Sequence, residues 1–258
     1  NDLTGEVADQ IYAQIEAFAN FGFAESHSLS FALLVYASSW LKLHYPAAFL
    51  AGLLRSQPMG FYSAATLTAD ARRHGVEVRR PDLRHSGVEA GLEPSGGDRG
   101  PTGRDACLAV EQPPVPEFDP SAPDLGAEHR RDGNFAVRLG LAGVRGIGEK
   151  VAQRVVAERD AVGPYSSMED LARRAGLDEE QLAALATAGV FDGLGLSRRQ
   201  ALWRAGTAAL DQEGTLPGLI APLQPPLFDG QTGLEVLSDD LWATGISTSD
   251  HLLAHLRP

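Results

Sequence analysis

Gly146-Ile147-Gly148, with Glu149-Lys150-Val151-Ala152 behind it, is the segment of this chain best suited to hold an anion. Two glycines one residue apart let the backbone turn tightly and put no Cβ between it and a ligand. Ile147 is the apolar residue that anchors such a turn in a core. The first N–H groups of the helix that follows have no intrahelical acceptor, and together with the helix dipole they favour a phosphate oxygen. Lys150 and Arg154, four residues apart on one helix face, add positive charge. Contact of this kind grips a nucleic-acid backbone without reading its bases. The same glycine spacing also serves a plain strand-to-helix turn.

Other chemistry-bearing residues are sparser. Ser26 and His27 precede a long apolar run, where a loop at a helix N-terminus can meet an anion; in the alternative, Ser28 is only an N-cap and His27 a packing residue. Leu185 to Gly189, Val190-Phe191-Asp192-Gly193 and the arginines Arg198 and Arg199 look like a second, degenerate hairpin, for which phosphate contact and structural support both stay open. No Asp-x-Asp pair occurs, and the acids show no metal-ligand spacing. Neither a catalytic residue nor a metal site is therefore expected in this chain.

The formal net charge of -12 argues at face value against nucleic acid. Its distribution matters more. Basic residues concentrate in Leu29 to His85 and Val137 to Arg174, so nucleic-acid contacts are expected there. The lone cysteine, Cys107, cannot form an internal disulfide, and no basic, then apolar, leader pattern opens the chain. A cytoplasmic location is the expectation. The longest apolar stretch, Leu29 to Leu43, contains Ser30, Ser38, Ser39 and Lys42 and is shorter than the roughly 20 residues that span a bilayer, so no membrane partner is expected.

The elements that position these residues follow from periodicity. Val7, Ile11, Ile15 and Phe18 predict an amphipathic helix over 5–19 capped by Thr4. Apolar residues on every face of 28–45 predict a helix buried on all sides. Pro46 ends it and starts another over 47–54; Ser63 caps a further helix through Arg73, and 76–78 reads as a strand. Residues 88–92, 106–110 and 136–141 are strand-like, separated by mobile Gly- and Pro-rich loops at 96–103 and 112–133. Ser166 with Glu169, Asp178 with Gln181 and Ser197 with Gln200 have capping-box spacing. The fold class expected is mainly α: a helical segment over 1–86, a short β-containing connector over 87–136, a helical module over 137–211 and an irregular linker over 212–258.

Longer stretches carry a family likeness. Phe21-Gly22-Phe23-Ala24-Glu25-Ser26-His27-Ser28 and Tyr36-Ala37-Ser38-Ser39-Trp40-Leu41-Lys42-Leu43-His44-Tyr45-Pro46-Ala47-Ala48-Phe49 resemble the fingers region of bacterial family C DNA polymerases, the polymerase III α subunits. Gln57 to Tyr62 and Asp70 to Arg79 resemble the error-prone branch of that family. Val144 to Ala152 resembles a helix-hairpin-helix motif, followed in the family's order by Gly163-Pro164-Tyr165 and Ala188 to Asp192. Many members carry Asn-Lys where this chain has Ala24-Glu25, so a basic contact is lost or moved here.

The resemblance implies a C-terminal piece of an error-prone polymerase acting in translesion synthesis and the DNA-damage response. Its tandem helix-hairpin-helix module would hold primed duplex DNA, and Ser26 and His27 would lie near the nucleotide. The palm aspartates that bind Mg²⁺ in the intact enzyme would lie upstream and an OB domain downstream, so this chain alone is expected to be inactive and to bind no cofactor. Gln224-Pro225-Pro226-Leu227-Phe228 resembles a sliding-clamp peptide, with Gln224, Leu227 and Phe228 as its contacts. An ImuB-type accessory protein is the other partner implied. A stand-alone helix-hairpin-helix DNA-binding or repair-accessory protein is the alternative reading, and a non-enzymatic interaction module a third.

Overall fold

Pro46 lacks the N–H that would continue the helix before it, and its fixed φ suits a first helical turn. One long helix accordingly stops at His44 and another starts at once. The computed structural model describes residues 5–21, 25–96, 130–210 and 226–256. Among these residues the helices are α1 (Glu6–Phe21), α2 (Glu25–His44), α3 (Pro46–Arg55), α4 (Ala64–Arg73), α5 (Gly148–Val162), α6 (Met168–Ala175), α7 (Glu179–Thr187), α8 (Arg198–Ala208), α9 (Gly233–Thr244) and α10 (Leu252–Leu256). Three short strands, β1 (Val78–Arg79), β2 (Gly91–Pro94) and β3 (Phe135–Arg138), complete a mainly helical fold. The chain divides into two compact units, Asn1–Leu43 and His44–Pro258.

The first unit holds α1 and nearly all of α2. The expectation that α2 is covered on all sides fails among the described residues, because Leu29, Leu33, Leu34 and Tyr36 are exposed. A helix that is apolar round its whole circumference is buried only when other elements surround it, and among the described residues of this unit none do so. The start of α2 also differs from the expectation. Ser28 is not its cap: the helix begins at Glu25, and the Ser28 hydroxyl donates back to the Glu25 carbonyl at 2.8 Å. The expected cap of α1, Thr4, lies outside the described residues.

In the second unit, β3 is the central strand, parallel to β1 with Val78 opposite Val137 and antiparallel to β2 with Leu92 opposite Val137. Ala47, Leu50 and Ala51 of α3 pack with Ala71, Val76, Val78, Val137 and Leu139 into one core. No side chain next to α3 caps it. Asp132, far along the sequence, does so instead: the N–H groups of Ala47 and Ala48 donate to its Oδ2 at 2.8 and 3.0 Å, and Arg130 holds its other oxygen at 3.0 Å. The end of the stretch expected to be a mobile loop is thus a buried cap, while the expected strand over 106–110 lies outside the described residues.

The strand expected over 88–92 is displaced along the chain. Residues 88–90 do not pair as a strand; the N–H groups of Leu141 and Ala142 donate to Gly87 and Val88 at 3.0 and 2.9 Å, and the strand proper begins at Gly91. Gly140 makes this crossing possible, because a Cβ there would stand 2.3 Å from the Glu89 carbonyl carbon. On the sheet, the Glu93 carboxylate accepts two hydrogen bonds from Arg138, at 2.8 and 2.7 Å, and a third from Arg79.

A larger core joins Leu141, Val144 and Ile147 to Val155, Leu171, Leu182, Leu185, Val190, Phe191 and Ala205. The capping boxes at Asp178–Gln181 and Ser197–Gln200 both form. The third does not form: the cap is Ser167, whose hydroxyl accepts from the Asp170 N–H at 3.1 Å, while the Asp170 carboxylate accepts from the Ser166 N–H at 2.9 Å. Burial of Tyr165, whose hydroxyl donates to the Val155 carbonyl at 2.9 Å, sets that frame. In the stretch expected to be irregular, Thr232 and Glu235 form a further capping box and open α9, which ends at Gly245 in left-handed conformation.

The Gly140 crossing predicts that Gly140→Ala destabilises the second unit by about 3 kcal/mol, since a backbone neighbour cannot swing aside as a side chain can. Urea unfolding measures this, and a change below about 1 kcal/mol would refute it. Glu93 predicts an acid sensitivity. Burial pushes its carboxyl up, but the hydrogen bonds from Arg138 and Arg79 outweigh burial and hold it below its ordinary value of 4.5. The stabilisation is therefore complete above that value and lost as pH falls through the lower folded one. Glu93→Gln should be less stable at neutral pH and should lose less stability than the parent on acidification; parallel stability profiles would contradict the assignment.

Candidate nucleic-acid interface

The hairpin is built from a 3-10 turn, Leu141–Gly143, followed by Val144 and Arg145, the Gly146-Ile147-Gly148 turn and α5. Val144 and Ile147 are buried, whereas Arg145, Gly146, Gly148, Glu149 and Lys150 are exposed. Gly146 has φ +82° and Gly148 φ +59°, and nothing stands within 4 Å of a Cβ at either place. Backbone conformation requires glycine here, not crowding. The Ile147 N–H closes the turn onto the Val144 carbonyl at 3.1 Å.

The N-terminus of α5 differs from those of its neighbours. Ser63, Ser167, Asp178, Ser197 and Thr232 cap α4, α6, α7, α8 and α9 through their side chains. At α5 the cap position is Ile147, which supplies no side-chain hydrogen bond. The amides of that first turn are thus left for solvent or an anion. Glu149 in the same turn works against an anion, though Gln153 donates to its carboxylate at 2.8 Å.

Lys150 extends from the first turn of α5 into solvent. Arg154 does not extend alongside it. Its guanidinium donates to the Ala175 carbonyl and, at 3.3 Å, to that of Gly176, closing the C-terminal end of α6. Arg154, Arg173 and Arg174 line a cleft of about 420 Å³ there, shared with Asp178. Arg174 is fixed by Glu158 at 3.2 Å, by Asp170 at 3.3 Å and by the Gly163 carbonyl, and lies over the Tyr165 ring. Burial pushes the Tyr165 hydroxyl up to about 12. These groups fix the spacing of α5 and α6 behind the hairpin.

The second hairpin has a structural use for its arginines. Gly189, at φ +75°, leaves room for the Arg198 guanidinium, which a Cβ would meet at 3.0 Å. Arg198 is 4% exposed and pairs with Asp240 of α9, itself 3% exposed, while donating to the Val236 carbonyl at 3.2 Å. Arg80 stands 3.3 Å from the same carboxylate. Arg199 donates to the Asp229 carbonyl and to Glu235 at 2.8 and 2.7 Å. Neither arginine forms a free basic face.

Ser26 and His27 lie inside the first turn of α2, not in a loop ahead of it. Helical pairing continues through them: the Ser30 hydroxyl donates to the Ser26 carbonyl at 2.9 Å, and the His27 ring meets Phe31 edge-on at 4.4 Å. They belong to the first unit and the hairpin to the second. Of the clamp-like peptide, Gln224 lies outside the described residues, Leu227 is fully exposed, and Phe228 meets Trp203 edge-on at 6.1 Å. Among the described residues no group of three or more His, Cys, Asp or Glu is placed to hold a metal ion, and no helix is long and apolar enough to cross a membrane.

Two residues at the hairpin escape sequence reading. Arg145, just before Gly146, donates its N–H to the Ala243 carbonyl at 2.8 Å, and its guanidinium lies 5.3 Å from the centre of the Trp242 ring. The Thr232-Gly233-Leu234-Glu235 spacing was a signal for α9, but nothing local indicates that the helix docks on the hairpin.

Comparison with known proteins agrees with this geometry. A helix-hairpin-helix motif family matches residues 75–201. The chain is 52% identical over 268 aligned residues to an error-prone DNA polymerase of Cutibacterium acnes, covering 100% of this chain and 23% of that protein. It is 47% identical to an error-prone DNA polymerase of Nocardia farcinica, over 99% of this chain and 20% of that protein. With one from Mycobacterium tuberculosis strain H37Rv it shares 44%, over 98% and 20%. The chain thus spans about a fifth of the length of these relatives.

The Arg198–Asp240 pair generates a stability prediction. Asp240→Asn leaves the Arg198 charge buried with only carbonyl and more distant carboxylate partners, and should cost roughly 3 to 5 kcal/mol in chemical unfolding. A loss under about 1 kcal/mol would show that solvent reaches the guanidinium.

Proposed function

We propose, from the premise that this chain belongs to the error-prone DNA polymerase family, that its Gly146-Ile147-Gly148 hairpin grips the phosphate backbone of duplex DNA without reading base sequence. The observation that carries this is the uncapped N-terminus of α5, seated on the buried Ile147 between two exposed left-handed glycines. Amides aimed outward on a rigid turn, with Lys150 beside them, suit a phosphate oxygen. Arg154 serves this site indirectly, by holding α6 against α5.

Within the polymerase we assign this segment the holding of primer-template duplex, and the nucleotidyl transfer with its Mg²⁺ to the remainder of the protein. Similarity along 98–100% of the chain favours this over a stand-alone helix-hairpin-helix protein, since it includes the α1 to α4 half as well as the hairpins. Ser26 and His27 are assigned no direct nucleotide contact beyond their place in the first turn of α2. The Gln224–Phe228 peptide remains a candidate sliding-clamp contact, supported by the exposure of Leu227.

Fluorescence anisotropy with a labelled primed duplex across a salt series tests the grip. Affinity should fall steeply as salt rises, with no preference between unrelated duplex sequences. Replacing Gly146 and Gly148 by Val should abolish binding, and Lys150→Gln should flatten the slope of log K against log salt by about 0.9. No duplex binding at low salt, or unchanged affinity in the double glycine variant, would return the hairpin to plain turn duty.

A further inference from the structure

We infer that Arg145 is a second phosphate contact of the hairpin and that Trp242 of α9 is its positioning residue, so that α9 forms part of the DNA interface. This rests on the proposed backbone grip and extends it to a side chain and a helix.

Arg145 is exposed and sits immediately before Gly146. Its backbone is not free to wander, because its N–H donates to the Ala243 carbonyl in the last turn of α9. That same turn presents Trp242, half exposed, and the Arg145 guanidinium rests over the ring at 5.3 Å. Among the described residues no carboxylate forms an ion pair with this guanidinium. An aromatic face holds an arginine by cation–π attraction without using up its five N–H donors. The ring therefore fixes the direction of the side chain and leaves its charge available to an anion at the glycine turn.

The way α9 is attached supports a functional placement. Arg198, Arg80 and Asp240 bolt it to the second hairpin through a buried charge cluster, and Leu237 and Ala243 are buried with it. The helix carrying Trp242 is thus a rigid support. Close to a turn whose amides face solvent, one oriented guanidinium adds a charge-assisted hydrogen bond to a phosphate at little ordering cost.

A double-mutant cycle in the full chain tests this, read by anisotropy with a short labelled DNA duplex over a salt series. Arg145→Gln should weaken low-salt binding about tenfold, the loss of one charge-assisted contact. It should also flatten the salt slope by about 0.9. Trp242→Leu, which keeps the charge but removes its support, should weaken binding about threefold in the parent. In the Arg145→Gln background it should have no further effect, and Trp242→Phe should restore most of the parental affinity. Should Trp242→Leu fail to fold, by thermal melting, the cycle is run with Trp242→Met and Arg145→Gln, where the loss caused by Met must vanish without Arg145, and a loss of equal size in both backgrounds, or none in the parent, overturns the positioning role.

If the double glycine variant loses binding while Arg145→Gln binds like the parent, this inference falls and the hairpin grip stands. If Trp242→Leu costs the same in both backgrounds, Trp242 does not act through Arg145, and its positioning role is overturned. Absence of duplex binding by the parent chain overturns the grip and this inference together.

Discussion

The buried pair of Arg198 with Asp240 is the constraint on which the hairpin half of the molecule depends. It ties the first residue of α8 to the middle of α9, and Arg80, just past β1, faces the same carboxylate. Two charges taken out of water gain little net energy from each other, so such a pair fixes geometry more than it adds stability. Gly189 shows how far the surroundings are committed to it, since only a residue without a side chain, in left-handed conformation, leaves the guanidinium its place. Through this cluster the second hairpin, the sheet and α9 share one frame.

That frame reaches the first hairpin by a short path. The last turn of α9 accepts the Arg145 N–H and lays Trp242 under the Arg145 side chain, while Ile147 on the other side of Gly146 is sunk in the core. The glycine turn is thus fixed at both ends and open in the middle. An anion site needs both properties: rigidity avoids an ordering cost on binding, and openness lets the backbone come close to a phosphate. Arg154 and Arg174 add the third side by closing α6 onto α5 through carbonyl contacts. Their charges hold helices together.

Local chemistry made much of this legible in the sequence. The glycine turn, the Pro46 break and the capping boxes at Asp178 and Ser197 are each determined within four residues, and each forms where its residues predict. Beside two local slips, the Ser28 cap and the frame of the Ser166 cap, the features out of reach are those decided at a distance. Asp132 caps a helix 85 residues away; Gly140 is selected by Glu89 across a loop crossing; Arg198 and Asp240 meet across 42 residues. Lys150 and Arg154 share a helix face in the sequence, yet Arg154 turns to the end of α6, because a long side chain finds the nearest unsatisfied carbonyls. Helix α9 was within reach, since Thr232 and Glu235 have the spacing of a capping box, but the surrounding Gly and Pro obscured it.

A chain with a formal charge of -12 repels a polyanion if charge is averaged over its surface. The local arrangement at the hairpin answers that objection without requiring a basic face, although the net charge stays as it is. Many of the chain's arginines are already paired in place: Arg79 with Glu77 and Glu93, Arg138 with Glu93, Arg174 with Glu158 and Asp170, Arg198 with Asp240, Arg199 with Glu235 and Arg204 with Glu169. Most of these arginines act as internal fasteners, and the acids paired with them are not available to repel a phosphate at close range. At the hairpin a phosphate would meet backbone dipoles with Lys150 and Arg145 at the edges and Glu149 in the same first turn. Screening at physiological salt confines Coulomb interactions to about 8 Å, so the local arrangement decides the encounter once contact is near, and the distant acidic residues chiefly slow the approach.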